Sequence, residues 1–201
     1  MQETGTRINK YMSQCGYCSR READRLIEKG EVWINGTLAT MGTKVMPGDT
    51  VMVHHTTITP CQKEYLLAFH KPAGIVCTTS KIDKNNVIDY LNFPERIYPV
   101  GRLDKESTGL LLLTNNGQLM DDVLRGSNYH EKEYIVHVNK PITDSVLQAM
   151  AQGVPILDTI TRPCKIRRMG KDCFYITLTQ GLNRQIRRMC EYFDYLSLIH
   201  I

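Results

Sequence analysis

The sequence predicts an α+β protein in two parts, a small helix-then-strand module followed by a larger domain on a mainly antiparallel, mixed sheet. Two short helical stripes, Ile8/Tyr11/Met12/Cys15 and Ala23/Leu26/Ile27, crowd into the first thirty residues. Beyond residue 64, seven strand-like runs outweigh four helical candidates. Between them, residues 54–63 show no apolar period and have Pro60 near their end, which suits a linker. The expected division is therefore 1–53, a linker at 54–63, and 64–201.

In chain order, residues 1–6 are expected to fray. The first stripe recurs at i, i+3, i+4 and i+7, and Gly16 stops it. Ser19 and Glu22 form a capping-box pattern, so a second helix should begin at Arg20 and end near Lys29, before Gly30. Strands at 32–34, 37–39 and 50–53 are separated by an Asn35-Gly36 turn and a Pro47-Gly48-Asp49 turn. In the second part, strands are predicted at 65–69, 74–78, 97–100, 110–114, 133–138, 164–168 and 174–179. Helices are predicted at 87–91, 118–124, 143–152 and 184–193.

Composition narrows the function class. With 42% hydrophobic and 23% charged residues over 201 positions, the chain has enough apolar material for a core. No run approaches the roughly 18 apolar residues of a spanning helix, and the start lacks a secretory pattern, so no membrane partner is expected and the cytoplasm is the default. Seven scattered cysteines argue for reduced thiols. Cys15 and Cys18 have a metal-like spacing without a second pair, so no metal is expected and Cys15 reads as an apolar helix residue.

Net charge is only +4, but its distribution is uneven. Between residues 161 and 191 lie Arg162, Lys165, Arg167, Arg168, Lys171, Arg184, Arg187 and Arg188 against Asp172 and Glu191. That stretch suits a phosphate backbone, with a solvated basic face as the alternative. Arg20 and Arg21 also occupy a first helical turn, where the helix dipole disfavours cations. Binding phosphate accounts for them better than helix stability does, although Glu22 and Asp24 leave ordinary mixed surface charge open.

The stretch most suggestive of chemistry is Pro99-Val-Gly-Arg-Leu-Asp-Lys-Glu-Ser-Thr-Gly109, which carries Asp104 between two strand-like segments. A carboxylate at a sheet edge is held by a rigid scaffold, Gly101 and Gly109 permit backbone shapes other residues resist, and Arg102 places a fixed charge nearby. Pattern alone also allows an ordinary polar hairpin turn.

Gly101-Arg-Leu-Asp104 followed by Ser107-Thr-Gly-Leu-Leu111 resembles the signature loop of pseudouridine synthases of the small- and large-subunit rRNA type. Further matches occur in order at His70-Lys-Pro-Ala-Gly-Ile-Val76, Lys132-Glu-Tyr134 and Gly181-Leu-Asn-Arg-Gln-Ile-Arg-Arg-Met189. The wording at 179–185 is closest to the F subgroup of the large-subunit enzymes. The resemblance implies that Asp104 is catalytic, that Tyr134 stacks on the target base, and that Arg187 pairs with the catalytic carboxylate, ideally through a bidentate guanidinium. A strand tyrosine in simple packing and a phosphate-binding arginine remain the alternatives. Arg102, Arg184 and Arg188 would contact RNA.

Cys18-Ser-Arg-Arg-Glu-Ala-Asp24 and Gly30-Glu-Val-Trp-Ile-Asn-Gly36 resemble an S4 (alpha-L-like) RNA-binding module, with Arg7, Lys10, Arg20, Arg21 and Arg25 as its implied RNA contacts. Together these resemblances imply a site-specific isomerase of uridine in structured RNA, 23S rRNA first and tRNA as a second candidate, monomeric at full length. Breaking a glycosidic bond and rejoining the base through carbon needs no redox partner or group donor, so no cofactor is expected. Asp104 would act as a nucleophile or as a base at the ribose, and the sequence leaves both open. The rival reading is a non-catalytic S4-type RNA-binding or ribosome-assembly protein. A tyrosyl-tRNA synthetase is disfavoured because no Lys-Met-Ser-Lys-Ser stretch occurs.

Members of the family continue beyond the 184–193 helix with a further strand region. The resemblance thus implies that the C-terminal part is missing here, and the six residues after Tyr195 are expected to form neither a strand pair nor a helix.

Overall fold

The computed structural model describes residues 5–61, 63–80 and 82–200. Most of the expected frayed leader, residues 1–4, lies outside them. The chain separates into two compact units, one formed by residues 1–65 with 94–96 and 115–117, the other by the rest.

The first unit opens with β1 (Thr6–Arg7), α1 (Ile8–Gln14) and α2 (Arg20–Glu28). It continues with β2 (Val32–Ile34), β3 (Thr37–Leu38), β4 (Lys44–Val45), β5 (Val51–Val53) and β6 (Thr56–Ile58). The α2 start follows its sequence signal only halfway: Ser19 accepts the Glu22 amide at 3.1 Å, but Glu22 turns its carboxylate to Arg25 at 2.9 Å instead of back to the cap. The apolar stripes do as their spacing requires. Ile8, Met12, Ala23, Leu26 and Ile27 pack with Val32, Val51, Val53 and Ile58 into one core. Cys15 and Cys18 lie partly buried against it, and burial pushes the Cys15 thiol up to about 11.

The stretch expected as a linker is partly sheet. β6 pairs with β5 in a four-stranded antiparallel sheet of order β3-β2-β5-β6 and buries Ile58. The reversal is made by His54 and His55, both at positive φ (45° and 64°), a turn usually signalled by Asn-Gly. Asn35 and Gly36 supply the expected version between β2 and β3.

The second unit contains β7 (Leu66–Lys71), α3 (Val87–Leu91), β8 (Tyr98–Val100), β9 (Gly109–Thr114) and most of α4 (Gly117–Leu124). After these come β10 (Lys132–Val138), α5 (Asp144–Gln152), β11 (Pro155–Ile156), β12 (Thr159–Ile160), β13 (Lys165–Arg168), β14 (Cys173–Leu178), α6 (Gln185–Tyr192) and β15 (Ser197–His200). In place of one central sheet there are two larger ones, β7-β9-β8 and β13-β14-β10-β15, plus the β11-β12 hairpin, all antiparallel.

Three local expectations change. Residues 74–78 make only a single bridge, Val76 with Asn86, so this apolar run is a loop lining a core. The β11-β12 hairpin was not expected, because its turn residues Leu157 and Asp158 take positive φ without a glycine signal. Residues 197–200 do form a strand: pairing with β10 supplies the partner that four residues cannot provide for themselves.

Each larger sheet has its own core. Cys77, Val87, Ile97, Leu111 and Leu113 pack under β7-β9-β8. Val136, Leu147, Met150, Phe174, Ile176, Ile186 and Met189 join β10 and β14 to α5 and α6. No helix among the described residues is long and apolar enough to cross a membrane. Phe174 is fully buried between these layers, so Phe174→Ala should lower unfolding free energy by about 3–5 kcal/mol, read from the denaturant midpoint of that unit. A loss below about 1 kcal/mol would contradict the packing described.

Candidate active site

Residues 101–107 connect β8 to the bridge at Thr108 and to β9 without a strand ladder of their own, so other bonds must set their shape. Gly101 takes φ +88°, a backbone shape that strains any residue with a β-carbon, and a β-carbon there would lie 3.4 Å from the end of the Leu124 side chain. Gly109, at φ +130°, begins β9. Between them the Ser107 amide donates to the Asp104 carbonyl at 3.0 Å, with Ser107 buried. The Lys105 carbonyl accepts two bonds, one from the Gly74 amide in the segment after β7 at 2.8 Å and one from Nζ of Lys71, the last residue of β7, at 3.1 Å.

Lys71 was not singled out by motif reasoning, yet its side chain is fully buried, among the largest such side chains of the described residues. Its Nζ also donates to the Pro72 carbonyl at 2.7 Å. Burial pushes its pKa below the ordinary value, opposed by the neighbouring Cys77, Glu106 and Asp104. A signal was present: along β7 the inward positions alternate as Leu67, Phe69 and Lys71, so period two turns this lysine toward the core.

Asp104 meets Arg187 from α6. Arg187 Nε donates to Asp104 Oδ2 at 2.9 Å, and its Nη1 donates to the Ser197 carbonyl at 3.1 Å. The guanidinium is thus divided between the carboxylate and the backbone of β15, whereas the sequence suggested a bidentate grip. The Arg187 side chain is 17% exposed and that of Asp104 40%, so the cation is largely covered while the carboxylate stays open to a ligand. Oδ2 carries the bond to arginine, which leaves Oδ1 outside that contact.

Tyr134 lies on β10 opposite Ile176 and packs partly against the second core. Burial raises its phenol pKa, which keeps the hydroxyl protonated at neutral pH. It makes no hydrogen bond with Asp104 or Arg187 among the described residues.

The expected basic surface at 161–191 is largely consumed by internal structure. Arg162 lies 4.4 Å from the Tyr129 ring centre and donates to the Gly126 and Thr179 carbonyls. Lys165 pairs with Glu131, Arg168 with Asp144, and Arg167 sits 4.0 Å over Tyr175. Arg188 folds onto Asn183, donating to its carbonyl at 3.1 Å. Arg184 is exposed at the α6 N-cap with φ +50°, and Arg102 is exposed on the Asp104 loop.

In the first unit, Arg7, Lys10 and Arg20 converge. With Gly5, Thr6 and Asn9 they line one polar cavity of about 370 Å³. Arg21 is exposed outside that lining, and Arg25 is engaged by Glu22. Asn9, unmarked by the sequence, donates to Asp24 at 2.9 Å beside the cavity.

Residues 65–192 match the model of the RNA pseudouridylate synthase family, and residues 6–51 match the S4 domain. The chain belongs to the RNA pseudouridylate synthase family. Among similar proteins, the dual-specificity RNA pseudouridine synthase RluF of Salmonella typhi is 53% identical over 195 residues, covering 96% of this chain and 68% of that protein. Its counterpart in Escherichia coli K12 is 52% identical, with 96% and 67% covered. Ribosomal large subunit pseudouridine synthase B of Bacillus subtilis is 33% identical, with 92% and 79% covered. A crystal structure of a pseudouridylate synthase superposes with a TM-score of 0.67 at 25% identity, covering 97% of this chain and 86% of that one. The chain is therefore an RNA-modifying isomerase with an S4 RNA-binding domain, and it spans about two thirds of the RluF proteins' length.

For this synthase, Lys71 offers a test of how the loop is held. Its folded pKa lies below the ordinary 10.5, so between those two values the unfolded chain binds more protons. The stability lost by burying the charge is present below the folded value and is recovered as pH rises through it. The stability of the native chain relative to Lys71→Met should therefore increase as pH is raised from 7 toward 10.5, measured by urea midpoints. A difference independent of pH would show that the amine is not buried as a cation.

Proposed function

We propose that this synthase converts uridine to pseudouridine at defined positions of 23S rRNA, with tRNA as a second substrate class, and that Asp104 is its catalytic group. The observation that carries this reading is the 2.9 Å contact between Asp104 and Arg187, 83 positions apart in the chain, with the arginine covered and the carboxylate open. The names of the RluF and synthase B relatives support the substrate class.

In this reading the target uridine leaves its stack so that its sugar and base reach Asp104, because a base inside a helix hides the glycosidic bond. Arg187 fixes the orientation of the carboxylate through Oδ2, and Oδ1 faces the reacting nucleotide. Tyr134 offers a ring face to the detached uracil and a protonated hydroxyl. Arg102 and Arg184, both exposed, contact the RNA around the target, and Arg188 shapes the turn at Asn183 as much as it contacts phosphate. The S4 domain docks a structured stem through Arg7, Lys10 and Arg20, with Arg21 and Arg25 at the margin. The enzyme works as a monomer in the cytoplasm.

Asp104→Asn preserves shape but removes charge and basicity. It should leave RNA affinity unchanged and lower single-turnover conversion by at least about 10³-fold. Pseudouridine made at a near-native rate by this variant would overturn Asp104 as the catalytic group. Docking is separable from chemistry: replacing Arg7, Lys10 and Arg20 together with alanine should weaken RNA binding and flatten its salt dependence by about 0.7–0.9 in log–log slope per lost contact. Saturating RNA should restore most of the conversion. Arg25→Ala should change the slope less, because Glu22 already holds that guanidinium. Equal slopes for the native and triple-alanine proteins would remove the cavity from the RNA surface.

A further inference from the structure

The loop that presents Asp104 is held on its downstream side by Lys71, Gly74 and Ser107, as described above. The residue before the carboxylate is held by something else: the Leu103 amide donates to the sulfur of Cys77 at 3.4 Å. We propose that Cys77 is a positioning residue for catalysis, its sulfur accepting the Leu103 N–H and so fixing the peptide from which Asp104 projects. The inference rests on the reading of Asp104 as the catalytic group.

Cys77 is suited to this task. It is only 5% exposed and belongs to the core of Val87, Ile97, Leu111 and Leu113, so its position is set by packing on rigid elements. The Leu103 side chain packs against the same core, so residue 103 is anchored through both its side chain and its amide. The segment around Cys77 is itself tied down, with the Val76 amide donating to the Asn85 carbonyl and the Val87 amide to the Val76 carbonyl. Burial raises the Cys77 thiol pKa, so it remains a neutral acceptor and not a nucleophile. Residues 71–77 therefore grip the loop on both sides of Asp104, Lys71 and Gly74 at the Lys105 carbonyl and Cys77 at the Leu103 amide. A partly buried amide deprived of its acceptor rotates toward another partner, and a small rotation at residue 103 displaces the carboxylate of residue 104.

The test compares Cys77→Ala, which removes the acceptor, with Cys77→Ser, which keeps one in a side chain of nearly the same size. Single-turnover release of tritium from RNA labelled as [5-³H]uridine reads the chemistry, filter binding reads RNA affinity, and amide hydrogen exchange at Leu103 reads the bond. Cys77→Ala should slow tritium release by about tenfold, with RNA affinity within about twofold of native and faster Leu103 exchange. Cys77→Ser should stay within about threefold of the native rate and keep Leu103 protected. A general loss of core packing would affect both variants alike.

Native turnover by Cys77→Ala, or equal slowing by both variants, would overturn the proposal. So would a Leu103 amide that exchanges in the unaltered protein as fast as an open loop amide, a measurement that requires no turnover. Asp104→Asn assayed alongside separates the two readings. Activity in that variant would remove Asp104 from catalysis, while exchange at Leu103 would still decide whether Cys77 holds the peptide.

Discussion

A buried ammonium group with carbonyl partners constrains the catalytic domain more than any other interaction described here. Lys71 ends the β7 strand inside the core, and its charge is tolerable only where dipoles converge on it. The Pro72 and Lys105 carbonyls provide that environment. The consequence runs in both directions. The lysine needs the loop to bring Lys105 inward, and the loop, lacking a ladder, takes its shape from the lysine together with the Gly74, Ser107 and Cys77 contacts. The ion pair between Asp104 and Arg187 is built on this arrangement, since a carboxylate on an unanchored loop would not meet a guanidinium from α6 with regular geometry.

Much of this was legible in the sequence where the signal is local. The helices α1, α2, α3, α5 and α6 follow from apolar spacing and caps, and most strands begin or end within two residues of their expected limits. The proximity of Asp104 and Arg187 was foreseen from family resemblance, not from spacing, because 83 residues separate them. What escaped was set by partners remote in sequence. β6 and β15 are strands because β5 and β10 complete their hydrogen bonds. The turns at His54-His55 and Leu157-Asp158 take a backbone shape that their residues do not advertise. Lys71 looked like one more charge in a motif until the alternation of β7 turned it inward.

The basic stretch at 161–191 is the clearest case of a count that composition could not interpret. Eight cations in sequence suggested one phosphate surface, but carboxylates and aromatic rings from other elements occupy most of them. Pairing of this kind is worth little individually at a surface, yet it decides which charges a ligand encounters. Arg7, Lys10 and Arg20 keep their positive field together, whereas Arg162, Arg167, Arg168 and Arg187 serve the fold.

That internal neutralisation bears on how the enzyme searches among RNAs. Nonspecific attraction to a polyanion grows with the number of unpaired cations, and each one lengthens the stay at an incorrect site. With a net charge of +4 and arginines such as Arg168 and Arg187 already paired with carboxylates, the attraction this chain exerts on a polyanion is weaker than its count of cations suggests. The arginines that stiffen the catalytic domain are thereby held by the fold, which leaves exposed cations such as Arg102 and Arg184 to meet an approaching polyanion.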